Sequence, residues 1–141
     1  MLEAVRGLRT LWAMPASRIT VSTVGVVNRI RSLAADAPGV NLALSLHAPT
    51  QELRLRLVPS SRSYTLPKLM AAVDDYCRAS AQQVMVEYIL IDGVNASDDE
   101  ARELGALLCG RDVQCNLIPY NSTAAGDVHG YRSPTDEQTQ Q

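Results

Sequence analysis

No apolar run in these 141 residues approaches the roughly 18 needed to cross a bilayer, so no membrane span is expected. Charge of one sign is lacking as well: 13 basic residues against 15 acidic ones leave a net charge of −2. There is then no whole-chain field to draw in nucleic acid, and any RNA contact has to come from a local cluster or from another domain. Cysteine is scarce. Cys77, Cys109 and Cys115 are an odd number at spacings that fit neither a disulfide framework nor a CxxC metal knuckle, so reduced thiols and no disulfide-linked partner are expected. The chain also has no GxGxxG, no Walker sequence, no HExxH and no GxSxG, which removes the usual support for dinucleotide, nucleoside triphosphate, zinc-protease and serine-hydrolase readings.

What is there is globular: 46% of the residues are apolar and 20% charged, and the length suits one domain. Leu2, Val5, Leu8 and Trp12 recur at helical spacing up to Pro15, predicting an opening helix that buries one stripe. The amphipathic start carrying Arg6 and Arg9 weakly resembles a transit peptide, but an ordinary helix accounts for it. A β-branched strand follows at Arg18–Thr23, then a helix through Val27, Ile30, Leu33 and Ala34 to Pro38 and Gly39. Asn41–Leu46 is a second strand, apolar on both faces, as a parallel strand between layers is.

A short helix carries Glu52, Arg54 and Arg56 as far as Pro59, and a longer one has Leu66, Leu69, Met70, Val73, Tyr76 and Cys77 in register. Val84–Ile91 is the most strand-like run, broken by the single charge of Glu87, for which a rim or solvent position is expected. Ser97 and Glu100 have capping-box spacing ahead of a helix that closes near Gly110. Cys115–Tyr120 gives a fourth strand, and residues 122–141 form a polar tail expected to be irregular. Strands alternating with helices predict an α/β fold with about four parallel strands and the helices outside. Four strands cannot close a barrel, so the bare sheet edges point to a part of something larger.

In parallel α/β folds ligands sit at the carboxyl ends of the strands. Those ends carry Ser22, Thr23 and Gly25; Ser45, Leu46 and His47; Asp92, Gly93, Val94 and Asn95; and Pro119, Tyr120 and Asn121. Each alone is ordinary turn chemistry. Together, hydroxyls, an imidazole and amides on one rim suit a zwitterionic, ribose-bearing ligand. Arg54, Arg56, Arg62 and Lys68 form the densest basic stretch, which reads as a solvated face ahead of an RNA phosphate site.

Four blocks fall in order and at matching spacing: Arg18–Val27 (RITVSTVGVV), Ala43–Pro49 (ALSLHAP), Val86–Asn95 (VEYILIDGVN) and Asn116–Asn121 (NLIPYN). Through them the chain resembles the bacterial-type radical S-adenosylmethionine (radical SAM) methyltransferases that act on adenine C2 of large-subunit rRNA and, in some members, of tRNA. The resemblance implies a six-stranded partial (β/α) barrel of the radical SAM type, with this chain's residues 1–121 as strands three to six. It implies S-adenosyl-L-methionine as cofactor, with Ser22, Ser45, Leu46, His47 and Asn121 falling where the family binds it. It implies rRNA, and tRNA in some members, as partner, and a cytoplasmic or organellar location.

The family's [4Fe-4S] cluster is held by a CxxxCxxC loop, and a separate cysteine near its carboxyl terminus carries the methyl group; neither is present in this sequence. A GMGEP-like block before the first strand is also missing, Val24 stands in place of a second serine, and Tyr120 and Ser122 replace the usual Trp and Pro around Asn121. Tyr131–Glu137 resembles the approach to the family's last helix. The chain is therefore expected to be a truncated form that keeps the cofactor side, with no catalytic or metal-ligating residue of its own and no activity alone. The alternative is an inactive S-adenosylmethionine- or RNA-binding scaffold module. A part of a barrel is also expected to be marginal in stability, because its buried apolar area has to offset the full conformational entropy.

Overall fold

The computed structural model of the protein describes residues 1–135 and Thr139. Helices and strands alternate: α1 (Leu2–Leu11), β1 (Thr20–Thr23), α2 (Val27–Asp36), β2 (Asn41–Ser45), α3 (Gln51–Leu57), α4 (Leu66–Ser80), β3 (Val84–Leu90), α5 (Asp98–Leu108), β4 (Val113–Pro119) and α6 (Ala124–Val128). Short 3-10 turns cover Ala16–Arg18 and Pro59–Ser63. The four strands pair in parallel in the order β1-β2-β3-β4, so β1 and β4 are the edges of an open sheet.

The register divides the sheet into two faces. Val21, Leu42 and Leu44, Val84, Val86 and Tyr88 face the helices and join a single core with Ile30 and Leu33 of α2 and Leu69, Met70, Val73 and Tyr76 of α4. Side chains alternate along a strand, so Thr20, Ser22, Ser45, Glu87, Gln114 and Asn116 share the opposite face with Ala43, Met85 and Ile89. That face is the polar one, and the polarity is what marks it as an inner wall rather than a second core.

Tertiary structure changes three readings of the sequence. Trp12 is not in the buried stripe of α1: it is 76% exposed. The reason is that Ala13 turns the chain into the left-handed region, and the Met14 N–H reaches back to the Leu8 carbonyl, closing the helix at Leu11. β4 begins at Val113 rather than Cys115, because Val84 of β3 supplies it a partner there. Arg54 is not on a solvated face but is 1% exposed, while Arg56, Arg62 and Lys68 are exposed. Its helix turns Leu53, Arg54 and Leu57 to one side, and from that side Arg54 reaches the carbonyls of Val24 and Leu46, just past the ends of β1 and β2.

The capping box forms as spaced: the Ser97 side chain accepts from the Glu100 N–H while the Glu100 carboxylate takes the Ser97 N–H. In the segment after β4, Thr123 caps the five-residue α6. Of the stretch 131–137, residues 136 and 137 lie outside the described residues. No helix among the described residues is long and apolar enough to cross a membrane.

Candidate functional site

The carboxyl ends of the strands rise stepwise across the sheet. Ser22 pairs with Ala43, whereas Ser45 lies two residues further along and pairs with Glu87, which pairs with Asn116. Tilted strands of a barrel are staggered in this way, so the rim runs diagonally from β1 up to β4.

His47 sits where β2 leaves the sheet, and its backbone is in the left-handed region at φ 60°, uncommon for a residue with a side chain. Two hydrogen bonds hold it there. Its Nδ1 accepts the Ile89 N–H at 3.2 Å, taking the place of a ladder partner, and its carbonyl accepts from Asn95 Nδ2 at 2.9 Å. A ring nitrogen that accepts carries no proton, so the neutral imidazole bears its hydrogen on Nε2. Burial lowers the His47 pKa, and the positive charge of Arg54 lowers it further.

A histidine depressed in the folded protein binds fewer protons than in the unfolded chain, so stability falls as pH drops below about 6.5, the unperturbed value. Urea midpoints should therefore decline between pH 7.5 and 5.5, and less so in His47→Asn, since asparagine tolerates the left-handed backbone without titrating. Equal declines in both proteins would remove His47 as the cause.

Asn95, 2% exposed, ties the loop after β3 to the rim. Its Nδ2 also donates to the Ile89 carbonyl at 2.7 Å, its Oδ1 accepts the Ile91 N–H at 2.7 Å, and its carbonyl takes the Tyr88 hydroxyl at 3.0 Å. Behind β1, Thr23 Oγ1 accepts the Gly25 N–H at 3.1 Å and turns the chain into α2.

The segment after β4 folds back over the rim. The Asp92 N–H donates to the Arg132 carbonyl, the Tyr131 ring meets Tyr120 edge-on at 6.1 Å, and His129 stacks on Tyr131 at 5.4 Å. His47, Ile89, Ile91, Tyr120 and Tyr131 line a cavity of about 240 Å³ beneath it. Of the five residues picked from sequence, His47 is in this cavity and Ser45 is half-buried on the inner face below it. Ser22 lines a separate cavity of about 160 Å³ beside α2, and Asn121 is exposed. Leu46 is fully buried, with its side chain in the core, its N–H on the Glu87 carbonyl and its own carbonyl bonded to Arg54, so none of its surface is open to a ligand.

Sequence reading missed the burial of Arg54, and the signal was available: it falls on the buried side of α3, between Leu53 and Leu57. Tyr131 and His129 carried no periodic signal at all.

The cysteines do not form a cluster site. Cys77 is buried with its thiol on the Asp112 carbonyl, and Cys109 and Cys115 are exposed. Among the described residues no three His, Cys, Asp or Glu side chains are grouped to hold a metal.

No protein-family profile matches the chain. A probable dual-specificity RNA methyltransferase of Protochlamydia amoebophila is 45% identical over 104 residues, covering 74% of this chain and 29% of the relative. A probable dual-specificity RNA methyltransferase of Rhodopirellula baltica is 45% identical over 118 residues, covering 84% and 31%. The crystal structure of a radical SAM methyltransferase from Sphaerobacter thermophilus superposes with a TM-score of 0.91 at 43% identity, over 96% of this chain and 40% of that one. The chain thus spans 29% to 31% of the length of these curated relatives.

Proposed function

Given a chain that belongs to the dual-specificity RNA methyltransferases of the radical SAM class over the part it spans, we propose that these 141 residues form the S-adenosyl-L-methionine side of such an enzyme's barrel. The observation that carries the reading is His47: a neutral imidazole fixed by one hydrogen bond to its Nδ1 and another to its backbone carbonyl, with no described residue bonded to its Nε2, at the mouth of a cavity on the strand ends. A fixed donor of this kind pairs with a ligand carboxylate or hydroxyl without a reorganisation cost. Ser45 and Glu87, adjacent in register on the inner face, add a hydroxyl and a carboxylate suited to the ribose and the ammonium group.

When bound, S-adenosyl-L-methionine supplies the methyl group. This chain's residues orient it and, through the folded-back segment carrying Tyr120 and Tyr131, shield it from water. The cysteines present do not fit a [4Fe-4S] cluster, so no step through a cluster is assigned to these residues. Methylation of rRNA or tRNA adenine belongs to the whole enzyme, and the chain by itself is proposed to be inactive.

Calorimetry with S-adenosyl-L-methionine tests the reading. Binding is expected for the chain, with at least roughly tenfold weakening in His47→Asn, the loss of one hydrogen bond to a charged ligand group. Folded protein that gives no heat would leave the RNA-binding scaffold as the surviving reading.

A further inference from the structure

The guanidinium of Arg54 is the one cationic side chain among the described residues that is fully buried, at 1% exposure. Its Nε donates to the Leu46 carbonyl at 3.2 Å and its Nη2 to the Val24 carbonyl at 2.5 Å. None of the ion pairs among the described residues includes it. Burying a charge without a counter-ion is expensive unless its hydrogen bonds are well made, and here they go to two carbonyls at the points where β1 and β2 leave the sheet.

Arginine's planar fork reaches two acceptors at once, which a lysine ammonium on a flexible stem does not reproduce. The backbone of Arg54 is pinned as well: its carbonyl accepts the Val58 N–H at 2.8 Å and the Ser61 hydroxyl at 3.3 Å. The chain after β1 comes so close that a Cβ on Gly25, at φ 109°, would stand 3.3 Å from Arg54 Nη2 and 3.0 Å from Leu69 Cδ1.

We propose that Arg54 is a positioning residue for the S-adenosyl-L-methionine site, clamping the chain after β1 to the chain after β2 so that His47 keeps a fixed place at the rim. The inference rests on the functional reading above. Val24 directly follows the end of β1 and His47 directly follows the clamped Leu46 carbonyl, so either bond lost frees one side of the rim.

Four full-chain variants test the clamp: Arg54→Lys, Arg54→Met, Gly25→Ala and, as an exposed control, Arg56→Met. Each is followed by thermal melting, by S-adenosyl-L-methionine calorimetry, and by nuclear magnetic resonance titration of the His47 ring. Arg54→Lys is expected to melt cooperatively but to bind at least roughly tenfold more weakly, since one of two charge-assisted bonds is lost, and Gly25→Ala to weaken binding in the same direction. Arg56→Met should behave as the parent.

In Arg54→Met the His47 titration should move upward because the neighbouring charge is gone, whereas Arg54→Lys, keeping the charge, should restore it without restoring affinity; a merely structural residue would not separate the two. Parent and Arg54→Lys binding within twofold of each other, both folded, would overturn the clamp. If the parent itself shows no binding, the functional reading fails instead, and the clamp is judged on the ring alone: an unshifted His47 in Arg54→Met or, should that variant not fold, an unchanged ring environment in Gly25→Ala sinks it too.

Discussion

Asn95→Ala is expected to lower the unfolding free energy by about 4 kcal/mol. The side chain of Asn95, on a residue 2% exposed, makes three hydrogen bonds, to the His47 and Ile89 carbonyls and from the Ile91 N–H. Each is worth only about 1 kcal/mol net, but truncation leaves three backbone groups without partners, and each such group costs about 1–3 kcal/mol. Urea denaturation followed by far-ultraviolet circular dichroism reads this; Trp12, 76% exposed, is a poor fluorescence probe of the core. The effect should extend to the ligand, because one of the two bonds that hold His47 at φ 60° is gone, and S-adenosyl-L-methionine binding should be lost with it. Asn95→Asp separates shape from donation: it fits the space but aims an oxygen at two carbonyls, and should be at least as damaging. A loss below about 1 kcal/mol would show that the network does not form.

Leu44→Ala should cost about 3 kcal/mol, within the range for a core leucine whose cavity cannot collapse. Leu44 is fully buried on a central strand, paired with Thr23 on one side and Val86 on the other, and faces the layer where α2 and α4 pack together. Neighbours on strands fixed from both sides have little freedom to move in, so the transfer and cavity terms add. For a part of a barrel this loss is a large share of the whole margin, and a broad, non-cooperative melt is the expected appearance. By contrast Leu117, on the same helix-facing side of the sheet but 48% exposed, should tolerate alanine with a change within about 0.5 kcal/mol. If Leu44→Ala and Leu117→Ala melt alike, Leu44 is not enclosed by the core as its burial requires.

The places where the strands leave the sheet were legible before any coordinates. The strand-ending blocks STVGV, SLHAP, DGVN and PYN named the rim, because glycine, proline and small polar residues after β-rich runs mark where a chain leaves a sheet. Glu87 was placed at a rim or solvent position, and it is half-buried on the inner face, in register with Ser45 and Asn116. The proton position on His47 was not legible. It follows from a bond to Ile89, 42 residues away, and no local pattern specifies such a partner. The same holds for Arg54, whose burial requires two carbonyls that directly follow different strands.

The sequence by itself determined the order and type of the elements, the α/β class and the family, because these follow from short-range periodicity, turn chemistry and motif spacing. Only the tertiary structure decided which polar groups are partnered, that Trp12 faces solvent while Arg54 does not, and that Ser22 and His47 line different cavities. Those outcomes depend on the register between strands distant in the chain and on how closely the loops approach, and a register one residue off would have turned each strand's side chains to the opposite face.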